Sequence, residues 1–320
     1  MHTVAIIDAF HPGSLDTIKR CLPADWQLQI AASTSASDAA KVMSNADVLF
    51  VMGSGVSADL IEQAPKLKFI QKLGAGVDNI DAKACQARGI VLAKLQGGNA
   101  VPVAEHTLLM TLATLRRLPQ LDRETRDGQW VRERARTVSR QLSNKTVGIV
   151  GFGAIGKAYA QILLGFQVRV LYHDVVTAPV DVCQRLNATA VNLETLLSES
   201  DIVSLHVPLT DLTRHMIGAK ELARMKHESV LINCARGGVV DEAALYNSLA
   251  SGAIHGAGID VFQEEPTHAD NPLFKLSNCV VTPHTAGGTV DNFENVVRKA
   301  IDNVYRLDRG EEIPSGDRIV

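Results

Sequence analysis

Residues 147–156 read VGIVGFGAIG, an apolar run that leads directly into three glycines with the spacing G-x-G-x-x-G. The apolar run predicts a buried strand. From Ile155 onward, apolar side chains recur at intervals of three and one, which is the period of an amphipathic helix. A strand, a glycine loop and a helix in this order are typical of a dinucleotide-binding turn, in which the glycines bring the backbone close to a pyrophosphate.

The glycines and the acid that follows them predict which cofactor the turn binds. Gly151, Gly153 and Gly156 would face the phosphates, together with the N-terminus of the following helix. Asp174 ends the next predicted strand, near the ~20-residue spacing at which an acid binds the ribose hydroxyls and repels a 2′-phosphate. Two valines follow it, and no arginine does. The sequence therefore predicts NAD rather than NADP.

Composition excludes several classes of protein. The 320 residues include 32 Lys+Arg and 35 Asp+Glu, for a net charge of −3, and 46% are hydrophobic. These values fit a globular chain of about two domains and give no reason to expect a nucleic acid or a membrane as partner. No apolar run reaches the ~20 residues of a membrane span, and the N-terminus lacks the features of a signal peptide. The five cysteines are scattered without a C-x-x-C pair, which favours the cytoplasm and predicts neither disulfides nor a metal site.

Short β-branched runs alternate with amphipathic stretches along the chain, which is the pattern of parallel sheets with crossover helices. We therefore predict an α/β fold with two doubly wound parallel sheets. The strands predicted for the first sheet are Val4–Ile7, Leu28–Ile30, Val48–Val51, Phe69–Leu73 and Ile90–Leu92. Those predicted for the second are Val147–Val150, Val168–Tyr172, Ile202–Leu205, Val230–Asn233, Ile254–Val261 and Val280–Thr282. Long helices are predicted over 99–121 and from Thr289 to Leu307.

Polar residues follow three predicted strands of the second sheet. Arg236, Glu265 and His284 each come shortly after a strand, and open α/β sheets bind ligands at the carboxyl ends of their strands. If these strands are parallel, a cation, a carboxylate and an imidazole meet at one edge. Reduction of a 2-oxo acid requires such groups, because a guanidinium binds the substrate carboxylate through two parallel hydrogen bonds. A histidine held by a carboxylate can protonate the oxygen that gains charge as hydride reaches the carbon.

Each of these residues also has a structural interpretation. An arginine before two glycines can cap a turn, a glutamate before a proline can be a surface residue, and a loop histidine can serve packing alone. Cys234 lies near Arg236, but nothing in the sequence activates it as a nucleophile, so we interpret it as a packing residue. We interpret His106 and His206 as structural. The eight arginines within 116–140 are interleaved with acids, which favours a solvated or subunit-contacting arm over an anion-binding surface.

Seven motifs along the chain connect it to a known family. They are KLGAGVDNID at 72–81, VAEHT at 103–107, GFGAIG at 151–156, SLHVPLT at 204–210, NCARGG at 233–238, DVFQEEP at 260–266 and PHTAG at 283–287. With these motifs, in this order, the chain resembles the D-isomer-specific 2-hydroxyacid dehydrogenases. That family includes phosphoglycerate dehydrogenases, glyoxylate and hydroxypyruvate reductases, and D-lactate dehydrogenases. The resemblance extends over nearly the whole chain.

The resemblance implies how the two domains are arranged along the chain. Residues 99–286 are expected to form a Rossmann NAD-binding domain. It would be inserted into a flavodoxin-like substrate-binding domain made of 1–98 and 287–320, with the C-terminal helix returning to complete that domain. The resemblance also implies a homodimer assembled through the NAD-binding domain, which suits the arginine-rich arm.

By the same resemblance, Arg236 binds the substrate carboxylate and carbonyl, His284 is the general acid and base, and Glu265 pairs with His284. The family's glutamate directly precedes the proline, which selects Glu265 over the acid before it. The backbone N–H groups expected to bind the substrate carboxylate are those of Gly74, Ala75 and Gly76. Besides the three glycines and Asp174, the expected cofactor contacts are Ala154, Ile155, Pro208, Thr213, Cys234, Ala235, Asp260, Ala286 and Gly287.

Departures from the family pattern bear on the substrate. Phosphoglycerate enzymes often carry an arginine after the strand that ends here at Val51, whereas this chain has Met52-Gly53-Ser54. We therefore predict a small unphosphorylated 2-oxo or D-2-hydroxy acid, such as glyoxylate or hydroxypyruvate, with phosphoglycerate oxidation as the alternative. Relatives acting on formate have glutamine in place of Glu265, and those acting on phosphite have lysine in place of Ala75, so both substrates are disfavoured. A second alternative is an NAD-sensing binding protein like the family's corepressors, although the chain lacks their long extensions.

Overall fold

The computed structural model describes all 320 residues, and the chain divides into two compact units. The first unit comprises Met1–Asn99 and Gly288–Val320, and the second comprises Ala100–Gly287. Each boundary lies one residue after the position expected from the sequence. The assignment of substrate binding to the first unit stays a prediction.

Five parallel strands form the sheet of the first unit. They are β1 (Thr3–Ile6), β2 (Gln27–Ile30), β3 (Val48–Val51), β4 (Phe69–Lys72) and β5 (Val91–Ala93). Their spatial order is β2-β1-β3-β4-β5, which is the flavodoxin-like order. Alternate residues of β1 enter two separate cores, because helices cover both faces of the sheet. The helices of the N-terminal segment are α1 (Pro12–Cys21), α2 (Ala36–Met43), α3 (Ala58–Glu62) and α4 (Ala82–Ala87).

Seven parallel strands form the sheet of the second unit. They are β6 (Thr146–Val150), β7 (Arg169–His173), β8 (Ala188–Ala190), β9 (Ile202–Leu205), β10 (Val230–Asn233), β11 (Gly256–Ile259) and β12 (Cys279–Val281). Their spatial order is β12-β11-β10-β9-β6-β7-β8, which is the Rossmann order with one strand added at the β12 edge. The helices are α5 (Ala100–Leu115), α6 (Leu118–Arg126), α7 (Arg132–Val138), α8 (Ala154–Leu163), α9 (Val180–Leu186), α10 (Leu193–Glu199), α11 (Ala219–Leu222) and α12 (Glu242–Ala250).

The structure differs from the prediction made from the sequence at two places in the second unit. The strand β8 was not predicted, because it is a short edge strand built from alanine and threonine and pairs only with β7. The single helix predicted over 99–121 is two helices, α5 and α6, separated at Arg117, whose φ is 53°. A continuous helix would press the ring of Pro119 against the carbonyl of Leu115, so the chain turns before the proline.

The helix α13 (Val290–Asp308) returns the chain to the first unit and completes one of its cores. Its residues Val297, Ala300 and Val304 are fully buried and belong to the same hydrophobic cluster as Val4 and Ile6 of β1. The predicted C-terminal helix is therefore confirmed, and it closes a core begun at the other end of the chain. No helix of the protein combines the length and the apolar character that crossing a membrane requires.

His2 ties the N-terminal strand to the end of α13. Its Nδ1 lies 2.5 Å from Oδ2 of Asp47, and its Nε2 lies 2.7 Å from Oδ2 of Asp308. Burial by itself lowers the pKa of His2, but the hydrogen bonds to Asp308 and Asp47 outweigh it and raise the pKa above its ordinary value. The folded protein therefore holds this proton more tightly than the unfolded chain does.

We expect the substitution His2→Gln to destabilise the protein more at about pH 5 than at about pH 9. Because the folded pKa is raised, the stabilisation is complete below the unfolded value of about 6.5 and is lost as the pH rises through the folded value. The loss at low pH is on the order of 1 kcal/mol, since Asp308 is 42% exposed and solvent weakens the pair. Urea unfolding of both proteins at the two pH values measures it, and an equal loss at both would contradict the prediction.

Candidate active site

The three polar residues predicted to act together follow neighbouring strands of the second unit. The strands β10, β11 and β12 are adjacent and parallel, with Asn233 of β10 paired to Ile259 of β11 and Ile259 paired to Val281 of β12. Their carboxyl ends therefore share one edge of the sheet. Arg236, Glu265 and His284 all lie in the loops that leave this edge.

Glu265 and His284 form a hydrogen-bonded pair in these loops. The distance between His284 Nδ1 and Glu265 Oε2 is 2.6 Å, and the other carboxylate oxygen accepts from the backbone N–H of Phe262 at 2.9 Å. Burial by itself raises the pKa of Glu265, but the hydrogen bonds from His284 and Phe262 and the charge of Arg236 outweigh it and lower the pKa. The carboxylate is therefore ionised, so Nδ1 of the ring must donate. The exposed fractions of the His284 and Glu265 side chains are 47% and 36%, which leaves the pair open to a ligand.

A glycine brings the arginine loop against the glutamate loop. A Cβ atom at Gly237 would lie 1.9 Å from the carbonyl carbon of Phe262, so only glycine fits there. The preceding residue, Arg236, is half-buried among buried neighbours and donates from Nη1 to the carbonyl of Ala235 at 2.7 Å. Its charge contributes to the lowered pKa of Glu265. The structure therefore brings the cation and the carboxylate together as the sequence predicted.

Asp260 is a completely buried carboxylate at the end of β11. It accepts hydrogen bonds from the Thr282 hydroxyl at 2.6 Å and from the backbone N–H groups of Thr285 and Ala286 at 2.9 and 3.0 Å. Burial by itself raises its pKa, but the donors around it, first among them the His106 ring, lower the pKa. Asp260 was expected to contact the cofactor. In the structure its carboxylate holds the loop that carries the histidine.

This loop keeps His284 in an unusual backbone conformation. Its φ is 52°, in the left-handed region, and its N–H donates to the carbonyl of Asp260 at 2.7 Å. Nε2 of His106, on α5, lies 3.1 Å from Oγ1 of Thr282. His106 is thus part of the support beneath the site, which agrees with its structural interpretation. Nothing in the sequence indicated that Thr282 would join it to Asp260.

The glycine loop between β6 and α8 has the geometry of a phosphate-binding turn. Gly151 has a φ of 91°, and a Cβ atom there would lie 2.4 Å from the carbonyl oxygen of His206. A Cβ atom at Gly156 would lie 2.3 Å from the carbonyl oxygen of Gly151. Gly153, by contrast, has no atom within 4 Å of that position and is exposed. Two glycines therefore make the turn, and the third leaves its outer side open for a pyrophosphate.

Asp174 lies directly against this loop. Its Oδ2 accepts from the N–H of Phe152 at 2.6 Å, and its Oδ1 accepts from the N–H of Val176 at 2.9 Å. A carboxylate has further lone pairs, so both oxygens can still accept from ribose hydroxyls. The arrangement fits a dinucleotide whose phosphates meet the loop and whose ribose meets the acid.

The remaining predicted cofactor contacts differ in exposure. Thr213 donates from its hydroxyl to the carbonyl of Pro208 at 2.6 Å, so these two predicted residues form one loop after β9. Cys234 is buried, and burial raises the pKa of its thiol to about 12, which supports packing over a nucleophilic role. Burial likewise lowers the pKa of His206 to about 3, and its Nε2 lies 2.8 Å from Ser204 Oγ. Of the other predicted cofactor contacts, Ala235 and Ala286 are buried, Ile155 is half-buried and Ala154 is exposed.

Comparison with known proteins identifies the family. The family model of the D-isomer specific 2-hydroxyacid dehydrogenase, NAD binding domain, matches residues 108–286, more than half of the chain. The chain belongs to this family. It is therefore a member of a family of NAD-dependent oxidoreductases, and the predicted family, α/β architecture and NAD cofactor are confirmed.

Individual relatives of this chain differ in substrate and length. A glyoxylate reductase from Korarchaeum cryptofilum is 40% identical over 262 residues, which are 81% of this chain and 79% of that protein. A D-3-phosphoglycerate dehydrogenase from Archaeoglobus fulgidus is 38% identical over 255 residues, 80% of this chain but only 48% of that protein. The chain thus spans about half of the latter's length. Among solved structures, D-lactate dehydrogenase from Aquifex aeolicus, complexed with NAD and lactic acid, has a TM-score of 0.84 and 28% identity over 97% of this chain and 96% of that one.

We expect Asp174→Asn to narrow the protein's preference for NADH over NADPH. The amide oxygen can still accept from the N–H of Phe152, whereas the bond from Val176 is lost because an amide has a single acceptor oxygen. The charge that repels a 2′-phosphate is removed. Hydrogen bonds to a charged group contribute about 1.5–3 kcal/mol, so NADH binding weakens roughly tenfold or more. Fluorescence titration with NADH and with NADPH measures the ratio of the two dissociation constants. Asp174→Ala, which also releases Phe152, should weaken both cofactors further, and an unchanged ratio in both variants would mean that the ribose is bound elsewhere.

Proposed function

We propose that this dehydrogenase transfers hydride between NAD(H) and a small unphosphorylated 2-oxo or D-2-hydroxy acid. The observation that carries the proposal is the His284–Glu265 pair beside Arg236, at the carboxyl edge of a Rossmann sheet. The glycine loop and Asp174 are proposed to hold the cofactor. When bound, NADH would supply the hydride to the carbonyl carbon of the substrate.

The hydrogen bonds of His284 indicate which ring nitrogen delivers the proton to the substrate. Nδ1 of His284 donates to Glu265, so Nε2 is the ring atom left to give a proton to the substrate. As hydride reaches the carbon, the carbonyl oxygen gains charge, and the proton on Nε2 converts it to a hydroxyl. Glu265 stabilises the protonated ring and fixes its orientation. In the reverse direction the neutral ring accepts the proton from the hydroxyl.

Two sets of donors, each described within its own unit, are proposed as candidates for binding the substrate carboxylate: Arg236 in the second unit, and the backbone of Gly74, Ala75 and Gly76 in the first. A guanidinium offers two parallel donors to a carboxylate. None of the three loop N–H groups donates to an acceptor within the chain, so each can bind an anion.

An unphosphorylated substrate is favoured by a carboxylate in the first unit. Asp8 accepts from the backbone N–H groups of Met52, Gly53 and Ser54 at 2.6, 2.7 and 2.7 Å. This is the loop in which phosphoglycerate enzymes often carry an arginine. Here its donors are already bound to a carboxylate, whose charge repels a phosphate. Phosphoglycerate oxidation remains the alternative because of the similarity to the Archaeoglobus fulgidus enzyme.

We further propose a cytoplasmic homodimer assembled through the NAD-binding unit. Support for the dimer comes from apolar side chains that are exposed on and after α5. Leu109, Leu118 and Trp130 are 54%, 53% and 84% exposed, and contact with a second subunit would bury this apolar surface. The five free cysteines fit a reducing compartment. Light scattering on the purified protein measures its molar mass and tests the dimer.

The activity is tested by following NADH absorbance with a panel of 2-oxo acids. The panel comprises glyoxylate, hydroxypyruvate, pyruvate, phenylpyruvate, oxaloacetate and phosphohydroxypyruvate. We expect strong turnover of an unphosphorylated acid and weak turnover of phosphohydroxypyruvate. Preference for the phosphorylated acid would support the alternative substrate. Binding of NADH without turnover of any acid would favour an NAD-sensing binding protein.

A further inference from the structure

Lys72 is a buried lysine at the end of β4, two residues before the Gly74–Gly76 loop. Only 8% of its surface is exposed. Burying an ammonium group is costly unless it is well hydrogen-bonded. The groups around it therefore indicate what this residue does in the protein.

The ammonium group joins two loops of the first unit. Nζ donates to the carbonyl oxygen of Met52, in the loop after β3, and to Oδ1 of Asn79, in the loop after β4, the latter at 2.6 Å. Asn79 in turn donates from Nδ2 to the carbonyl oxygen of Ser54 at 2.6 Å. Lys72 and Asn79 thus connect the ends of β3 and β4 through their side chains.

Both sides of this connection are anchored. Asp8 holds the loop after β3 through its three N–H groups, as described above. On the other side, the amide of Gln71 donates to the carbonyl of Lys72 at 2.9 Å and accepts from Asn303 of α13 at 2.9 Å. The lysine is therefore fixed at its backbone, and its side chain transmits that position to the loops.

The same side chain packs beneath the glycine loop. A Cβ atom at Gly74 would lie 3.7 Å from Cε of Lys72, which is van der Waals contact. Gly74 itself is held at its carbonyl by the N–H of Leu95 at 2.9 Å. The start of the Gly74–Gly76 loop is therefore in contact with the lysine stem and held by Leu95.

We propose that Lys72 is a positioning residue for the substrate. Its ammonium holds the loops after β3 and β4 together, and so keeps the N–H groups of Gly74–Gly76 in the arrangement that binds a carboxylate. Its charge beneath the loop also favours an anion there. The inference rests on the proposed function, because that function assigns the carboxylate to this loop.

Lys72→Met tests the inference, with Lys68→Met as the matched control because Lys68 is exposed and directly precedes the same strand. We expect KM for the preferred 2-oxo acid to rise on the order of tenfold in Lys72→Met, with a smaller change in kcat and unchanged NADH binding. Lys68→Met should behave as wild type. An unchanged KM in a folded Lys72→Met protein, even one with a lower melting temperature, would overturn the positioning role.

Asn79→Ala provides a second variant if Lys72→Met does not fold. It removes the acceptor and should raise KM in the same direction. If both residues act through one connection, the double variant should raise KM by less than the product of the two single effects, whereas independent effects would multiply and contradict the connection.

Hydrogen exchange in the ligand-free protein separates this inference from the proposed function. The hydrogen-bonded amides of Ser54, Val56 and Ile80 should exchange faster in Lys72→Met, because the loops are no longer joined. This readout needs no substrate. Faster exchange in a protein that turns over no 2-oxo acid would overturn the function but keep the loop connection. Unchanged exchange in Lys72→Met, together with full turnover of a 2-oxo acid, would keep the proposed function and overturn the loop connection.

Discussion

His284→Asn should lower kcat by a factor of ~10²–10⁴ while NADH still binds, because the variant cannot protonate the substrate oxygen. Asparagine is the appropriate replacement. It tolerates the left-handed backbone conformation of this residue, whose φ is 52°, better than alanine does. The loop held by Asp260 should therefore keep its shape. The comparison then reports on the imidazole rather than on strain in the loop.

Steady-state kinetics with the preferred acid measures kcat, and NADH fluorescence measures cofactor binding. His268→Ala serves as the control, because His268 is an exposed histidine of the second unit whose Nε2 lies 3.4 Å from Oε1 of Glu264. It should retain wild-type kinetics. We would abandon the acid–base role of His284 if His284→Asn kept near-normal turnover. If the variant lost both NADH binding and turnover, the substitution would instead have damaged the cofactor site.

Arg236→Gln should lower kcat/KM by a factor of roughly 10²–10³, since removing one partner of a desolvated charge pair typically costs 2–5 kcal/mol. The effect should depend on the substrate carboxylate. An uncharged analogue, such as the methyl ester of the preferred acid, gains nothing from the guanidinium. Wild type should therefore prefer the acid strongly, and the variant should discriminate far less between acid and ester.

Arg236→Lys separates charge from geometry. Lysine keeps the positive charge but cannot form two parallel hydrogen bonds to a carboxylate, so its kcat/KM should fall between those of wild type and Arg236→Gln. Arg224→Gln, which removes a half-buried arginine paired with Glu194 at 3.2 Å, is the control for loss of one charge. An acid-to-ester preference that survives in Arg236→Gln would show that another group binds the carboxylate.

Much of this fold is predictable because parallel sheets leave strong signals in the sequence. Buried strands are continuous apolar runs, and they alternate with amphipathic helices. The edge strand β8 lacked that signal because its side chains are small and partly exposed. The break at Arg117 did leave a signal, since Pro119 cannot lie in the interior of a continuous helix.

The candidate site is predictable in its members but not in its supports. Arg236, Glu265 and His284 could be grouped from the sequence because each follows a predicted strand. Residues that follow parallel strands all lie at the carboxyl edge of the sheet. Gly237 could not be interpreted, because its need for glycine comes from the backbone of Phe262, a residue remote in sequence. The Lys72 connection was equally hidden, because a lysine at a strand end is ordinarily a surface residue.

The return of α13 to the first unit has a consequence for the newly made chain on the ribosome. Val297, Ala300 and Val304 are needed to close a core that begins with Val4 and Ile6. The first ninety-nine residues emerge early but cannot complete that core until synthesis passes residue 304. The inserted unit, which is continuous in sequence, has all of its residues earlier. We therefore expect the inserted unit to complete its core before the first unit does, the reverse of the usual N-terminal-first order during translation.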